Sequence, residues 1–245
     1  MPKRSFSTKT VAKHWSFRKR VVSGLLAFSM ASTALAAGML TALSNQDATD
    51  GLRQALAQGA EVAVSQLGKR NGYYNNPKAR IPLPASLEKG ASMLRRVGMG
   101  SQLDQLEVTM NQAAEAAVVE AKPILVNAVK QMSVTDAKNI LTGGDTAATE
   151  YFRRTTSNDL TARFLPIVKK HTEQLGVSQQ YSQLAKPAAS VGLIDSKQSS
   201  LDGYVTQKAL DGLFLMVAEE EKAIRKNPVG QSSAILQKVF GAVGK

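Results

Sequence analysis

The chain has no cysteine. That removes a disulfide framework, a thiolate metal site, a cysteine nucleophile and a lipid-modified cysteine behind a leader. Histidine is almost as scarce, with His14 and His171 alone, and Trp15 is the single tryptophan. A zinc site built on one or two histidines and scattered carboxylates lacks the usual ligand set. No Gly-x-Ser-x-Gly elbow accompanies His171 to suggest a serine hydrolase, and no Gly-Lys-Ser/Thr follows a glycine loop to cradle phosphate. Gly98-Met99-Gly100 and Gly143-Gly144 therefore read as helix stops. His171, close behind Lys169-Lys170, reads as a residue near a helix C-terminus, where the helix dipole favours a cation. Stability must come from packing alone, and nothing in the composition calls for a cofactor or a metal.

Acidic residues are missing from one stretch. Residues 1–36 hold Lys3, Arg4, Lys9, Lys13, Arg18, Lys19 and Arg20 with no Asp or Glu, followed by an uncharged run from Val21 to Ala34-Leu35-Ala36. A basic start, an apolar middle and a small-x-small end are the three parts of a secretory signal peptide. Residues 1–36 are expected to be that signal, and residues 37–245 a single exported domain, periplasmic in location. Arg18-Lys19-Arg20 runs into valines without the twin-arginine pattern, so export of the unfolded chain is expected. If the leader is not cleaved, the run continues through Met39 to Leu43 and is long enough to anchor the protein in a bilayer.

The leader also explains most of the charge. It carries seven of the 31 basic residues and none of the 19 acidic ones, so the formal net charge of +12 falls to +5 once it is removed. An excess of that size argues against nucleic acid as a partner and leaves room only for weak, salt-dependent association with anionic lipid.

Strand-like alternation is lacking as well, and helical spacing fills the exported part. Leu52, Leu56, Ala60, Ala63, Val64 and Leu67 predict a helix from Asp47 to Leu67 with Gly68 as its stop. Residues 69–84, with Asn71-Gly72, Pro77, Pro82 and Pro84, predict turns and an extended strap at Ile81-Pro82-Leu83-Pro84. A short helix follows from Ala85 to Val97. Ser101 with Asp104 has the capping-box form for a helix running toward Met132, which Pro123 should kink or divide. Ser133 with Asp136 caps another to Leu141. Asp145 is placed to cap a helix through Thr146 and Tyr151, and further helices are expected over Asn158–Leu175, Ser178–Ala189, Leu201–Lys226, with Ser199 and Asp202 at its start, and Ser232–Phe240. The architecture is all-α, a single multi-helix domain of about eight to ten helices.

Three polar groups stand out against this background. Asn111 and Glu115 share a face of an alanine-lined helix whose Ala113, Ala114, Ala116 and Ala117 allow close approach of a neighbour. Thr146, Thr149, Tyr151, Arg153, Arg154, Thr155 and Thr156 cluster behind Asp145; the amides at that helix start suit an anion, with Asp145 expected to occupy them. Glu219-Glu220-Glu221 with Lys222, Arg225 and Lys226 reads as an exposed, salt-bridged face.

Several stretches in order carry a resemblance: Leu43-Ser44 through Gly51-Leu52, Ile81-Pro82-Leu83-Pro84, Asn111-Gln112-Ala113-Ala114-Glu115, Gly143-Gly144-Asp145-Thr146-Ala147-Ala148-Thr149 with Tyr151-Phe152, Tyr204-Val205-Thr206, Lys208-Ala209-Leu210-Asp211-Gly212-Leu213-Phe214, and Ile224-Arg225 with Asn227-Pro228. Together they resemble the bacterial domain-of-unknown-function family DUF4197. The resemblance implies an exported helical protein of a Gram-negative periplasm and carries over no activity. The chain departs from the family pattern at Gly230-Gln231-Ser232-Ser233, where an arginine before Thr-Thr is expected. The motifs' polar members most worth testing are Thr149, Arg153, Lys208, Asp211 and Arg225.

The expected function is non-enzymatic binding of a small ligand or an envelope partner in a groove between helices, with candidates Asn111, Glu115, Asp145, Thr149, Arg153, Asp211 and Arg225. The alternative is an envelope hydrolase using a carboxylate pair such as Glu115 and Asp145.

Overall fold

The structure, a computed structural model, describes residues 45–190 and 200–226. The expected leader, the Ser199 cap, the Asn227-Pro228 stop, the departure at 230–233 and the helix at 232–240 lie outside these residues. The first helical pattern forms α1 (Asn45–Gly68). Its six apolar positions, Leu52 to Leu67, are all buried, as one face of a 3.6-residue period requires. Gly68 is the last helical residue rather than a stop beyond it, and the left-handed residue that turns the chain is Asn71, at φ 60°.

Seven further helices follow: α2 (Ala85–Arg96), α3 (Gly100–Val118), α4 (Ala121–Gln131), α5 (Val134–Thr142), α6 (Ala147–Gln174), α7 (Val177–Ser190) and α8 (Leu201–Lys226). Among the described residues the fold is all-α, with eight helices and no strand. The division at Pro123 is real. The chain leaves α3 at Val118 and re-enters a helix at Ala121, so Pro123 sits in the first turn of α4, where its missing N–H costs nothing. Gly98 at φ +85° and Gly176 at φ +65° follow α2 and α6, the left-handed geometry that favours glycine past a helix end.

The expected caps came out differently from one another. At α5 the box is complete: the Ser133 hydroxyl accepts from the Asp136 amide at 3.0 Å, and the Asp136 carboxylate accepts from the Ser133 amide at 3.2 Å. At α3 it does not form, because the helix begins at Gly100 and Ser101 is already inside it. Ser101 instead bonds Gln102, while Asp104 pairs with Arg95 at 2.6 Å. At α8 the Ser200 hydroxyl accepts from the Gly203 amide at 3.2 Å. Asp202 accepts from the Thr172 hydroxyl at 2.6 Å, tying α8 to α6.

The two helices expected at 146–151 and 158–175 are one. The polar run Thr155-Thr156-Ser157 lies inside this helix, its hydroxyls donating to the carbonyls of Tyr151, Phe152 and Arg153 four residues back, at 2.8, 2.7 and 2.5 Å; such bonds weaken a helix slightly, and burial of Phe152, Thr156 and Leu160 on one face holds it together. Ala148, Phe152, Thr156, Leu160, Phe164, Val168 and Thr172 form a buried stripe along α6. That stripe packs against α8 and α3, and α8 in turn packs on α1. Both α3 and α8 are buried on more than one face, with Ala113, Ala114 and Ala117 fully covered on α3. The described residues fall within one compact unit spanning Leu43–Lys245.

Candidate functional site

Residues 69–84, predicted as turns leading into an extended strap at 81–84, together form a strap that makes one wall of a groove, and the polar residues of α3 hold it in place. Asn111 is fully buried; its side-chain oxygen accepts from the Ile81 amide at 2.9 Å and its NH2 donates to the Ile81 carbonyl at 2.8 Å. One amide thus completes both backbone bonds of an extended residue that has no strand neighbour. Glu115 does the same for the turn before it. Its carboxylate accepts from the amides of Asn71 at 3.0 Å, Tyr73 at 3.2 Å and Tyr74 at 3.5 Å. Burial nevertheless raises the Glu115 carboxyl above its ordinary value of 4.5, outweighing those three bonds, which pull it down.

From the other side, the strap is fastened to α8. The buried Tyr73 hydroxyl donates to the Ala209 carbonyl at 2.7 Å, Tyr204 donates to the Pro82 carbonyl at 3.0 Å, and Lys78 pairs with Glu219. Gly212 lies where the strap crosses α8. A Cβ there would stand 2.8 Å from the Tyr73 ring and 3.3 Å from Ala79, so glycine sets how close the wall can come.

The third wall is the start of α6, and Glu221 of α8 fixes it. Glu221 is 5% exposed, contrary to the solvated face expected for Glu219-Glu220-Glu221. It accepts from the amides of Ala148 at 3.0 Å and Thr149 at 2.9 Å, and from the Thr149 hydroxyl at 2.9 Å. Asp145 was expected on those amides, but it is exposed and α6 has no side-chain cap from its own N-terminal residue. The helix-start amides attract a carboxylate as anticipated; the carboxylate comes from another helix. Arg225 completes the arrangement. Its guanidinium donates to Glu221 at 2.9 and 3.1 Å and to the Ile140 carbonyl at 2.8 Å, joining α8 to α5.

Between the strap, α6 and α8 lies a cavity of about 540 Å³. From the start of α6 it receives Thr149, Glu150 and Arg153 with Thr146 just before the helix, and from α8 residues that include Lys208, Asp211, Gly212 and Leu215. Each set follows an i, i+3, i+4, i+7 spacing, so each helix turns one face to the space. The strap adds Lys78, Ala79, Arg80 and Pro82. Most of the charges are matched. Arg80 lies over the Tyr74 ring at 4.3 Å and bonds Glu107 at 2.7 Å, and Lys208 is 3.7 Å from Asp211, which also accepts from Gln207 at 3.0 Å. Arg153 differs: it stacks over the Phe214 ring at 4.6 Å, and among the described residues no carboxylate lies within ion-pair distance of it.

The sequence candidates therefore divide. Thr149, Arg153, Lys208 and Asp211 line one groove. Asn111, Glu115 and Arg225 hold its walls or the helices behind them, and Asp145 is not among the lining residues. Lys78, Arg80, Phe214 and Glu221 were missed. The clustering of Lys78 and Arg80 beside the prolines was a signal for the first two. Nothing in an acidic run of three distinguishes the buried Glu221 from its half-buried neighbours except its four-residue spacing to Arg225.

A second cavity of about 560 Å³ opens on the other side of α6, lined by residues that include Asn127, Asp136, Tyr151, Arg154 and Asp159. Arg154 there is 3.7 Å from Asp136 and lies over the Tyr151 ring at 5.7 Å. His171 is in the last turn of α6. Among the described residues no cluster of three or more His, Asp or Glu is placed to hold a metal, and no helix is long and apolar enough to cross a membrane.

Fold and groove together define an all-helical protein with a charge-lined cleft walled on one side by a pinned strap. The chain belongs to the family described as protein of unknown function (DUF4197), whose model matches residues 42–241. Neither a curated protein nor a solved structure gives a significant match.

Proposed function

We propose that this is an exported, periplasmic and non-enzymatic protein that binds a small ligand or an envelope partner in the groove between the strap, α6 and α8. The observation that carries the reading is the convergence of Thr149, Arg153, Lys208 and Asp211, polar members of two separate motifs, on one cavity of about 540 Å³. That volume lies in the range of small-molecule sites. The groove is also well supported from behind. Asn111, Glu115 and Glu221 all direct their polar atoms at the backbone of its walls, the kind of buttressing that holds a recognition surface in one shape. A hydrolase built on Glu115 and Asp145 has less support, because three backbone amides already occupy the Glu115 oxygens. Export rests on the leader pattern of residues 1–36.

The test is retention. Purified protein is incubated with an envelope extract, washed, and examined by native mass spectrometry beside Arg153→Ala and Asp211→Ala variants. A defined molecule or partner held by the parent protein and lost from the variants supports the reading. Nothing retained, or equal retention by all three proteins, contradicts it.

A further inference from the structure

We infer that the ligand of this groove is a small anion, with its carboxylate or phosphate oxygens received by Arg153 and assisted by Lys208. The inference rests on the groove-binding reading and deepens it.

The lining holds four cations, Lys78, Arg80, Arg153 and Lys208, against two carboxylates, Glu150 and Asp211. Lys78 and Arg80 are engaged by Glu219 and Glu107, carboxylates outside the lining, and Lys208 by Asp211. Glu150 accepts from the Thr146 hydroxyl at 3.3 Å. Arg153 is left with its positive charge unmatched among the described residues. Its guanidinium lies over the Phe214 ring at 4.6 Å. A stacked guanidinium keeps its edge N–H groups free, and that edge is the fork that binds carboxylate or phosphate with two parallel bonds. The ring supports the cation from one face without neutralising it.

Lys208 is the second contact because its pair with Asp211 is loose, at 3.7 Å, and both side chains are partly exposed, at 43% each. An incoming oxyanion competes for that ammonium at little cost. The cavity volume favours a compact anion over a polymer segment threaded through the site.

The experiment is calorimetric titration of the purified protein with two probes, inorganic phosphate and citrate, at low and moderate salt. Arg153→Gln and Lys208→Gln are compared with Arg154→Gln, which changes the neighbouring arginine of the second cavity. Arg153 and Arg154 are exposed and Lys208 is half-buried, and circular dichroism checks that the variants fold. Binding of either probe that weakens with salt, falls about tenfold or more in Arg153→Gln, falls less in Lys208→Gln and is unchanged in Arg154→Gln supports the inference. Preference for phosphate or for citrate assigns the oxyanion type. Absence of binding by both probes, or loss that is equal in Arg153→Gln and Arg154→Gln, overturns it. If both probes fail while an uncharged or cationic molecule from the envelope is retained through the groove, the anion inference falls and the groove-binding reading stands.

Discussion

Thr149 gives both its backbone amide and its hydroxyl to Glu221, each at 2.9 Å. This pair joins the first turn of α6 to the last third of α8, and the groove is the space those two helices enclose with the strap. A buried carboxylate in this position is committed: it meets two amides, a hydroxyl and the Arg225 guanidinium. Removing it leaves Arg225 and the helix-start amides without their partner. Glu221→Ala is therefore expected to lower unfolding stability by about 3 kcal/mol, with Thr149→Val costing about 1 kcal/mol. Urea denaturation of the two variants checks the order; near-parent stability of Glu221→Ala would show that the acid does not fix α6.

Asn111 supports the strap without touching the groove. Asn111→Ala leaves the Ile81 N–H and C=O unpaired inside the protein, at a cost of about 2 kcal/mol. The loss should be local as well as global. Hydrogen exchange at the Ile81 amide is expected to accelerate more than exchange in the Leu52 to Leu67 stretch of α1, and equal acceleration everywhere would refute a strap-specific role.

The burial of Glu115 predicts a pH dependence whose sign is unusual for a carboxylate. Its folded value is raised above 4.5, so between that ordinary value and the raised one the folded state binds more protons than the unfolded state. Stability contributed at this site must then increase as pH falls through the folded value toward 4.5. Relative to Glu115→Gln, the parent protein is expected to gain stability over that window in paired thermal or urea unfolding. A difference that stays flat with pH, or shrinks in the opposite direction, would contradict the assignment. Asp136 acts the other way at low pH: its capping bonds with Ser133 hold it below 3.8, and the stability it gives is lost as pH falls through that lowered value.

At Gly212 the strap lies close against α8. Gly212→Ala places a methyl 2.8 Å from the buried Tyr73 ring, and the ring is tethered through its hydroxyl to Ala209. Overpacking of this kind costs about 1–3 kcal/mol. Since alanine is the better helix former, a gain in stability on substitution would show that the strap can move away freely.

The sequence made the helices legible because their apolar spacing is regular. Leu52 through Leu67 and the run from Leu201 to Lys226 needed no tertiary information, and the Ile81-Pro82-Leu83-Pro84 strap was announced by prolines. It misjudged features settled by a partner far along the chain. Asp145 had the right type and position to cap α6, yet Glu221, 72 residues from Thr149, took the amides. The split expected between Tyr151 and Asn158 failed because the buried stripe Phe152, Thr156 and Leu160 runs through the Thr-rich segment and packs it as helix. For the site, the polar cluster behind Asp145 and the motifs that carry the family resemblance pointed to Thr149, Arg153 and Asp211. That these residues share a cavity, whereas Asn111, Glu115 and Arg225 stand behind its walls, depends on how the strap crosses α8, and local pattern carries no record of that crossing.

The most direct measurement of the groove's role is two-dimensional NMR of the arginine side-chain Nε–Hε signals while citrate or phosphate is added. The account predicts that the Arg153 signal shifts progressively to saturation while Arg154, on the other side of α6, stays in place. An Arg153 signal that does not move, or one that moves together with Arg154 and the remaining surface arginines, would contradict it.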